Sequence, residues 1–329
     1  MADKSSSQKN IPAALQRTRL APSPTGALHP GNARTFLINW ALARQRDWRV
    51  LLRIEDLDGP RVKPGAIDET VGLLEWLGLD WDKGPVVQSR DIAPCVEAMN
   101  KLAGAGLAYP CALSRREIAS AASAPNQGDH ESRFPPELRP PVQSGPFTGR
   151  DTNWRFVTPD VDIVFHDCAR GDVSSNVSQR TGDFVLWTKR AQPAYQLAVV
   201  VDDHRQGVTQ VVRGDDLVDS TARQLLLYQA LGWSLPPTHT HLPLVVGPDG
   251  RRLAKRHGDS RLTRYKALGV PVERVIGWIA SVSGVTTRPQ PMSATEFAQR
   301  FDLSLLPMAP VVMTQEDDAW LVESRRVNS

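Results

Sequence analysis

Cysteine is scarce in this chain of 329 residues: Cys95, Cys111 and Cys168 form an odd, widely spaced set with no Cys-x-x-Cys pair. That excludes a disulfide framework and fits a reducing compartment, so a cytoplasmic location is expected. Long apolar runs are missing as well. The longest, around Leu197–Val201, is far too short to span a bilayer, and the N-terminal MADKSSSQKN lacks the apolar core of a secretory signal. No membrane association is expected. Nor is there a strong excess of one charge: 39 Lys and Arg stand against 36 Asp and Glu, a net +3. Such a balance permits nucleic-acid binding without arguing for it. No GxxxxGK[ST] string occurs, which excludes a P-loop, and there is no internal repeat or low-complexity domain. What remains, 41% hydrophobic and 23% charged, is the composition of a globular protein with a sizeable core.

The ordered chain is expected to begin near Thr18, after a polar, Ser-rich arm over residues 1–17. Thr18-Arg19-Leu20 reads as a strand running into the Pro- and Gly-punctuated turn 21–26. A helix then opens at Gly31 or Asn32, a buried strand covers Trp48–Ile54, and a second helix covers Ala66–Leu77. Strand, helix, strand, helix at this spacing is the pattern of a parallel sheet in an α/β domain. Past Tyr109 the character changes, and residues 110–150 are rich in Pro, Ser, Gly and Arg with little periodicity. Strand-like segments follow at Asn153–Val157, Asp162–Phe165 and Phe184–Lys189. Further strands are expected at Ala194–Val201, Val208–Arg213 and Leu242–Val246, with a long helix over Ser220–Leu231 and helices from the basic loop 249–259 to about Trp320.

Three segments carry candidate chemistry. The first is Arg19-Leu-Ala21-Pro-Ser23-Pro-Thr-Gly-Ala-Leu-His29-Pro-Gly31-Asn32. It places a histidine just ahead of a helix start, whose unpaired N–H groups and positive dipole end suit nucleotide phosphates. An ordinary strand-to-helix turn has the same pattern. The second is Arg53-Ile-Glu55-Asp56-Leu-Asp58, at the carboxyl end of a strand, where open α/β sheets bind ligands and where acids can hold an ammonium. A solvated acidic turn reads alike. The third is Asp249-Gly-Arg-Arg-Leu-Ala-Lys255-Arg-His257-Gly, in a stretch where seven Lys and Arg between Arg251 and Lys266 face one acid. A cationic loop there can neutralise a polyphosphate, and an exposed basic loop looks the same.

Taken together and in this order, the three segments resemble class I aminoacyl-tRNA synthetases. His29-Pro-Gly31-Asn32 stands for the HIGH-type motif and Leu253-Ala-Lys255-Arg-His257 for the KMSKS-type motif, with Asn32 and Ala254 departing from the usual residues. The Arg19–Gly26 string, Arg-Ile-Glu-Asp, Tyr195-Gln-Leu-Ala-Val-Val-Val-Asp-Asp-His204, and Val212-Arg213-Gly-Asp-Asp-Leu narrow the match to glutamyl-tRNA synthetases. Closer still are their truncated relatives, the glutamyl-queuosine tRNA(Asp) synthetases. The resemblance spans roughly residues 18–285. It implies a Rossmann-type parallel sheet in two halves, 18–108 and 191–246, split by an insertion at 109–190. It further implies a loop and short helical region at 247–329, in which no anticodon-binding domain is expected.

By the same resemblance Arg19 and Tyr195 meet the side-chain carboxylate of L-glutamate, Glu55 its ammonium and Arg213 its other carboxylate, with Ala21 and Ser23 in the same pocket. The two arginines can also be exchanged between the carboxylates. His29, Gly31, Asn32 and Lys255 face ATP, with Mg²⁺ on the phosphates, and His29 and Lys255 stabilise charge as pyrophosphate leaves. The acceptor implied is queuosine-bearing tRNA(Asp), and a monomer is expected. Asp202 and Asp203 are expected only in helix capping or structural hydrogen bonds. Relatives hold zinc in the insertion with several cysteines. Here Cys111 stands alone, His130 adds at most a second ligand, and no zinc is expected. Three alternatives stay open: a truncated glutamyl-tRNA synthetase charging a tRNA 3′ end, a non-catalytic nucleotide- or RNA-binding paralogue, and an adenylate-forming ligase for another amino acid or acceptor.

Overall fold

The computed structural model describes residues 16–114, 116–118, 133–251, 253 and 259–323. The arm before residue 16, His130, and the segment carrying Ala254, Lys255 and His257 lie outside the described residues. In chain order the first elements are β1 (Arg17–Leu20), α1 (Pro30–Gln45), β2 (Arg49–Ile54), α2 (Ala66–Trp76), β3 (Lys83–Val87), α3 (Ala93–Gly104) and β4 (Ala108–Cys111). Then come β5 (Asn153–Phe156), β6 (Asp162–Asp167), β7 (Gly171–Asn176), the one-turn α4 (Val177–Arg180), β8 (Val185–Thr188) and β9 (Gln192–Pro193). The chain continues through α5 (Tyr195–Arg205), β10 (Gln210–Gly214), α6 (Val218–Ala230), β11 (Thr238–Leu242) and β12 (Val245–Val246). It closes with α7 (Leu262–Ala267), α8 (Val272–Val282), α9 (Ala294–Arg300), β13 (Val311–Val312) and α10 (Gln315–Val322).

β1, β2 and β3 run parallel, with Arg19 opposite Leu51 and Leu20 opposite Leu52. β2 reads Val-Leu-Leu-Arg-Ile without alternation and is buried along that run, as a parallel strand covered on both faces must be. β10 and β11 form a second parallel pair, extended by β6 and its antiparallel partner β7. A backbone bond from Thr209 N to Arg17 O at 2.8 Å joins the second group to β1. The carboxyl ends of β1, β2, β10 and β11 therefore open toward one edge. α1 fills the space beside β1 and β10, with Ala33, Leu37, Ile38, Ala41 and Leu42 all buried. Its Asn39 accepts from Thr18 Oγ1 (2.7 Å) and donates to Arg19 O (2.9 Å), which fixes the helix to the strand that carries Arg19.

Two expected strands differ in the structure. Ala194–Val201, read as a strand from its β-branched run, is the first half of α5. Leu197–Val201 is buried throughout, packed among α3, α6 and β8, and this apolar half of the helix, covered on all sides, shows no polar stripe to betray its period. Leu242–Val246 is two strands rather than one. β11 ends at Leu242, Pro243 interrupts, and Val245–Val246 turns to pair with β13.

A four-stranded antiparallel sheet, β4-β5-β8-β9, occupies the middle of the chain. Its core is aromatic: Phe147 meets both Trp154 and Trp187 edge-on at 5.1 Å. Asp183 ties it together, accepting from Tyr109 Oη (2.6 Å), the Thr158 backbone N–H (2.9 Å) and both arms of Arg139 (2.6 and 2.5 Å). Cys111 is buried there beside Tyr109, Ile118 and Phe134. Among the described residues no group of three or more His, Cys, Asp or Glu is placed to hold a metal, and none of the described helices is long and apolar enough to cross a membrane. Of the last four helices, α8 and α9 pack against α1 and against each other, and α10 packs on α8. Arg34 of α1 reaches Pro243 O (2.6 Å) and Ser283 Oγ (3.0 Å), and Gln45 donates to Ala298 O and Phe301 O.

Candidate active site

The strand ends converge on a cluster of buried charge. Arg19, on β1, is 4% exposed and donates Nε to Asp203 Oδ1 at 3.3 Å. Arg53, on β2, is fully buried; it donates to Asp203 (2.7 Å), to Gln206 Oε1 (2.9 Å) and to Glu55 Oε1 (3.0 and 3.3 Å). Asp203 on α5 thus bridges the arginines of two neighbouring strands, and Arg53 in turn orients Glu55. The neighbouring Asp202 faces elsewhere, accepting from Gln88 Nε2 and Arg205 Nε at 2.7 Å each. Asp56 ties down the turn after β3 by accepting from the Ser89 N–H and Oγ.

Arg213, near the end of β10, is 5% exposed and differs in its company. It donates Nε to His241 Nε2 (3.0 Å), Nη1 to Gln224 Oε1 (3.0 Å), and Nη2 to Thr221 Oγ1 (2.8 Å) and Leu217 O (3.3 Å). Every acceptor is neutral, and burial pulls the guanidinium below its ordinary value. The Tyr195 phenol, at the start of α5, sits against this guanidinium and within electrostatic reach of Arg19 and Glu55. Tyr195 is 40% exposed. Arg19 on β1, Glu55 just past the end of β2, and Arg213 on β10 therefore all come within electrostatic reach of Tyr195 at the strand ends.

The residues expected to face ATP stand at the mouth of α1. His29 is its N-cap, and Asn32 accepts from the His29 backbone N–H at 3.0 Å, so the asparagine carbonyl oxygen closes the helix end. Gly31 is constrained by the protein itself: a Cβ there would lie 3.1 Å from Val245 Cβ and 3.3 Å from His29 Nδ1. The sequence suggested close approach of a ligand, whereas the structure shows close approach of β12. Ala21 is half-buried and Ser23 exposed on the turn after β1, where Ser23 Oγ lies 3.1 Å from Thr25 Oγ1. Lys255 lies outside the described residues.

Sequence reasoning missed Arg53 and Asp203 as organisers of the cluster, and Asp167, Thr221, Gln224 and His241 around Arg213. Asp203 sits in the same quoted string as Tyr195, eight residues on, which on a helix is two turns along a neighbouring face. That signal was hidden by reading α5 as a strand.

The model of the family described as tRNA synthetases class I (E and Q), catalytic domain, matches residues 16–317. The chain is 48% identical over 283 residues to a glutamyl-Q tRNA(Asp) synthetase of Rhodopirellula baltica, covering 81% of this chain and 84% of that one. It is 42% identical over 319 residues to the protein of the same name in Symbiobacterium thermophilum, covering 92% and 97%. The crystal structure of a glutamate tRNA ligase from Elizabethkingia meningosepticum, in complex with its amino acid, superimposes with a TM-score of 0.77 at 28% identity, covering 93% of this chain and 68% of that one. With a family match across nearly the whole described fold and the charged cluster at the ends of its parallel strands, the chain belongs to the class I tRNA synthetases of the glutamate and glutamine type.

Proposed function

We propose that this protein activates L-glutamate with magnesium-bound ATP and passes the glutamyl group to queuosine in the anticodon loop of tRNA(Asp). The observation that carries this reading is the charge arrangement of the site. Three guanidiniums, Arg19, Arg53 and Arg213, converge there with two carboxylates, Glu55 and Asp203, leaving one positive charge in excess. Glutamate brings two carboxylates and one ammonium, the complementary excess.

Among the described residues Arg19 donates only its Nε, to Asp203, which keeps both terminal nitrogens for a forked carboxylate. Glu55, held by Arg53 through one oxygen, offers the other to the ammonium. Tyr195 joins Arg19 on the side-chain carboxylate and Arg213 takes the other carboxylate, while the backbone turn through Ala21 and Ser23 closes the pocket. Assigned to the phosphates are His29, Gly31 and Asn32 at the positive end of α1, and Lys255. The carboxylate oxygen attacks the α-phosphorus, the bond to the β-phosphate breaks, and pyrophosphate leaves. A queuosine hydroxyl then attacks the mixed anhydride and AMP departs. The protein contributes position and fixed charge at both steps.

Two relatives carrying the glutamyl-Q name, at 48% and 42% identity over most of the chain, support queuosine as the acceptor. The test supplies labelled glutamate and ATP with tRNA(Asp) that has or lacks queuosine, and with tRNA(Glu). Label on queuosine-bearing tRNA(Asp) alone is expected. Label on tRNA(Glu) instead would make the enzyme a charger of tRNA 3′ ends.

A further inference from the structure

Behind Arg213 stands a buried pair that the chemistry above does not use. His241 on β11 and Asp167 at the end of β6 are both completely enclosed, with His241 Nδ1 2.6 Å from Asp167 Oδ2. Asp167 also accepts the backbone N–H groups of His241 (3.1 Å), Ala169 (3.0 Å) and Arg170 (3.0 Å), so the turn after β6 holds it in place. On the other side of the ring, Nε2 lies 3.0 Å from Arg213 Nε. The chain Asp167–His241–Arg213 crosses three strands and reaches solvent at neither of its first two members.

The donor and acceptor roles along this chain follow from chemistry. An arginine Nε–H can only donate, so His241 Nε2 presents a lone pair. A carboxylate can only accept, so Nδ1 carries the proton. Asp167 thereby selects the tautomer that Arg213 needs. A neutral imidazole also adds no competing positive charge beside the guanidinium, and burial favours that neutral form. With Gln224, Thr221 and Leu217 O on its other nitrogens, four of the five N–H groups of Arg213 are taken and its plane is fixed, which leaves a single Nη1–H, beside the Tyr195 phenol, to meet a substrate carboxylate.

We propose that Asp167 and His241 are positioning residues for glutamate binding: by fixing the imidazole tautomer, they hold the Arg213 guanidinium in the plane that receives a substrate carboxylate. This rests on the reading of Arg213 as a glutamate ligand. The role resembles that of the outer partners of metal-bound histidines, where a carboxylate sets which ring nitrogen is free.

The test is a set of isosteric variants assayed by glutamate-dependent pyrophosphate exchange, with the KM for glutamate and for ATP measured separately. In Asp167→Asn the side-chain NH₂ donates to Nδ1. The ring proton moves to Nε2 and two donors face each other at Arg213. The expected result is a glutamate KM raised roughly tenfold or more, with the ATP KM unchanged. His241→Gln restores an acceptor for Arg213 without a tautomer to set, so it should recover much of the loss. Adding Asp167→Asn to it should then change the glutamate KM little, a non-additivity that a merely structural aspartate would not show. An unchanged glutamate KM in a folded Asp167→Asn enzyme would overturn the inference. So would additive effects in the double variant. Arg213→Lys separates the two readings: if it leaves the glutamate KM unchanged, Arg213 is not a ligand and both the assignment and this inference fall.

Discussion

Asp203 shows how much of the site rests on a residue with no direct task. It is the shared carboxylate of Arg19 and Arg53, all three being almost fully enclosed. Removing one partner of a buried ion pair leaves the other charge desolvated, at a cost of about 3–5 kcal/mol. Asp203→Asn is therefore expected to lower the melting temperature by several degrees and to raise the glutamate KM at least tenfold, leaving the ATP KM alone. Calorimetry and exchange kinetics check this, and a variant unchanged in both would show that the two arginines hold their places without it. Gly31 makes a second case. Its missing Cβ is the space that Val245 and the His29 ring occupy, so Gly31→Ala should destabilise by about 1–3 kcal/mol through overpacking, readable as a lower denaturant midpoint. Arg19, Glu55, Tyr195 and Arg213 were legible as candidates in the sequence because each sits in a quoted string. Their partners were not: Asp167 and His241 are 74 positions apart, and no local pattern joins them.

Among the elements, α1 bears the most, because it joins the turn after β1 to the C-terminal helices. Its Arg34 is buried, bonded to Pro243 O and Ser283 Oγ, and burial pulls its pKa down to about 10. Arg34→Met fills similar volume but strips the Pro243 carbonyl of its donor. An unsatisfied buried acceptor costs about 1–3 kcal/mol, so thermal unfolding at a lower temperature is expected, and equal melting curves would contradict it. The helix itself was visible in the sequence from its apolar spacing, and the structure starts it at Pro30, one residue before the earliest position expected. α5 was not visible as a helix. Its Leu-Ala-Val-Val-Val run has strand composition, and packing on every side decided the matter instead of propensity. The clearest lesson at this scale is that a buried helix in an α/β fold hides its period just as a parallel strand does.

Across the whole molecule, two enclosed histidines link stability to pH. Burial holds both His239 and His241 below the ordinary value of 6.5, His239 well below it, and their rings lie parallel with centroids 5.9 Å apart. The unfolded chain binds protons at these positions before the folded one does. The stability they allow is thus fully present above about pH 6.5 and is lost as the pH falls below it. Melting temperatures taken between about pH 8 and about pH 5 should decline on the acid side, and His239→Leu should flatten part of that decline. A flat profile in the parent protein would contradict the burial of these rings. The parallel sheet was read from the strand–helix spacing, and the Arg-Ile-Glu-Asp string pointed to the strand ends where the charged cluster lies. The pairing of β6 with β11 across His239 and Asp167 could not be read in this way, since it joins segments far apart in the chain.

The central claim, that the cluster at the strand ends is a glutamate site serving adenylate formation, is tested most directly by exchange of labelled pyrophosphate into ATP. The assay uses the purified protein with magnesium and no tRNA, and compares L-glutamate with L-glutamine and L-aspartate. The account predicts exchange with glutamate alone: glutamine lacks the second negative charge that the excess guanidinium requires, and aspartate is one methylene too short to span Arg19 and Arg213. Exchange that is indifferent to glutamate, or faster with glutamine, would contradict it.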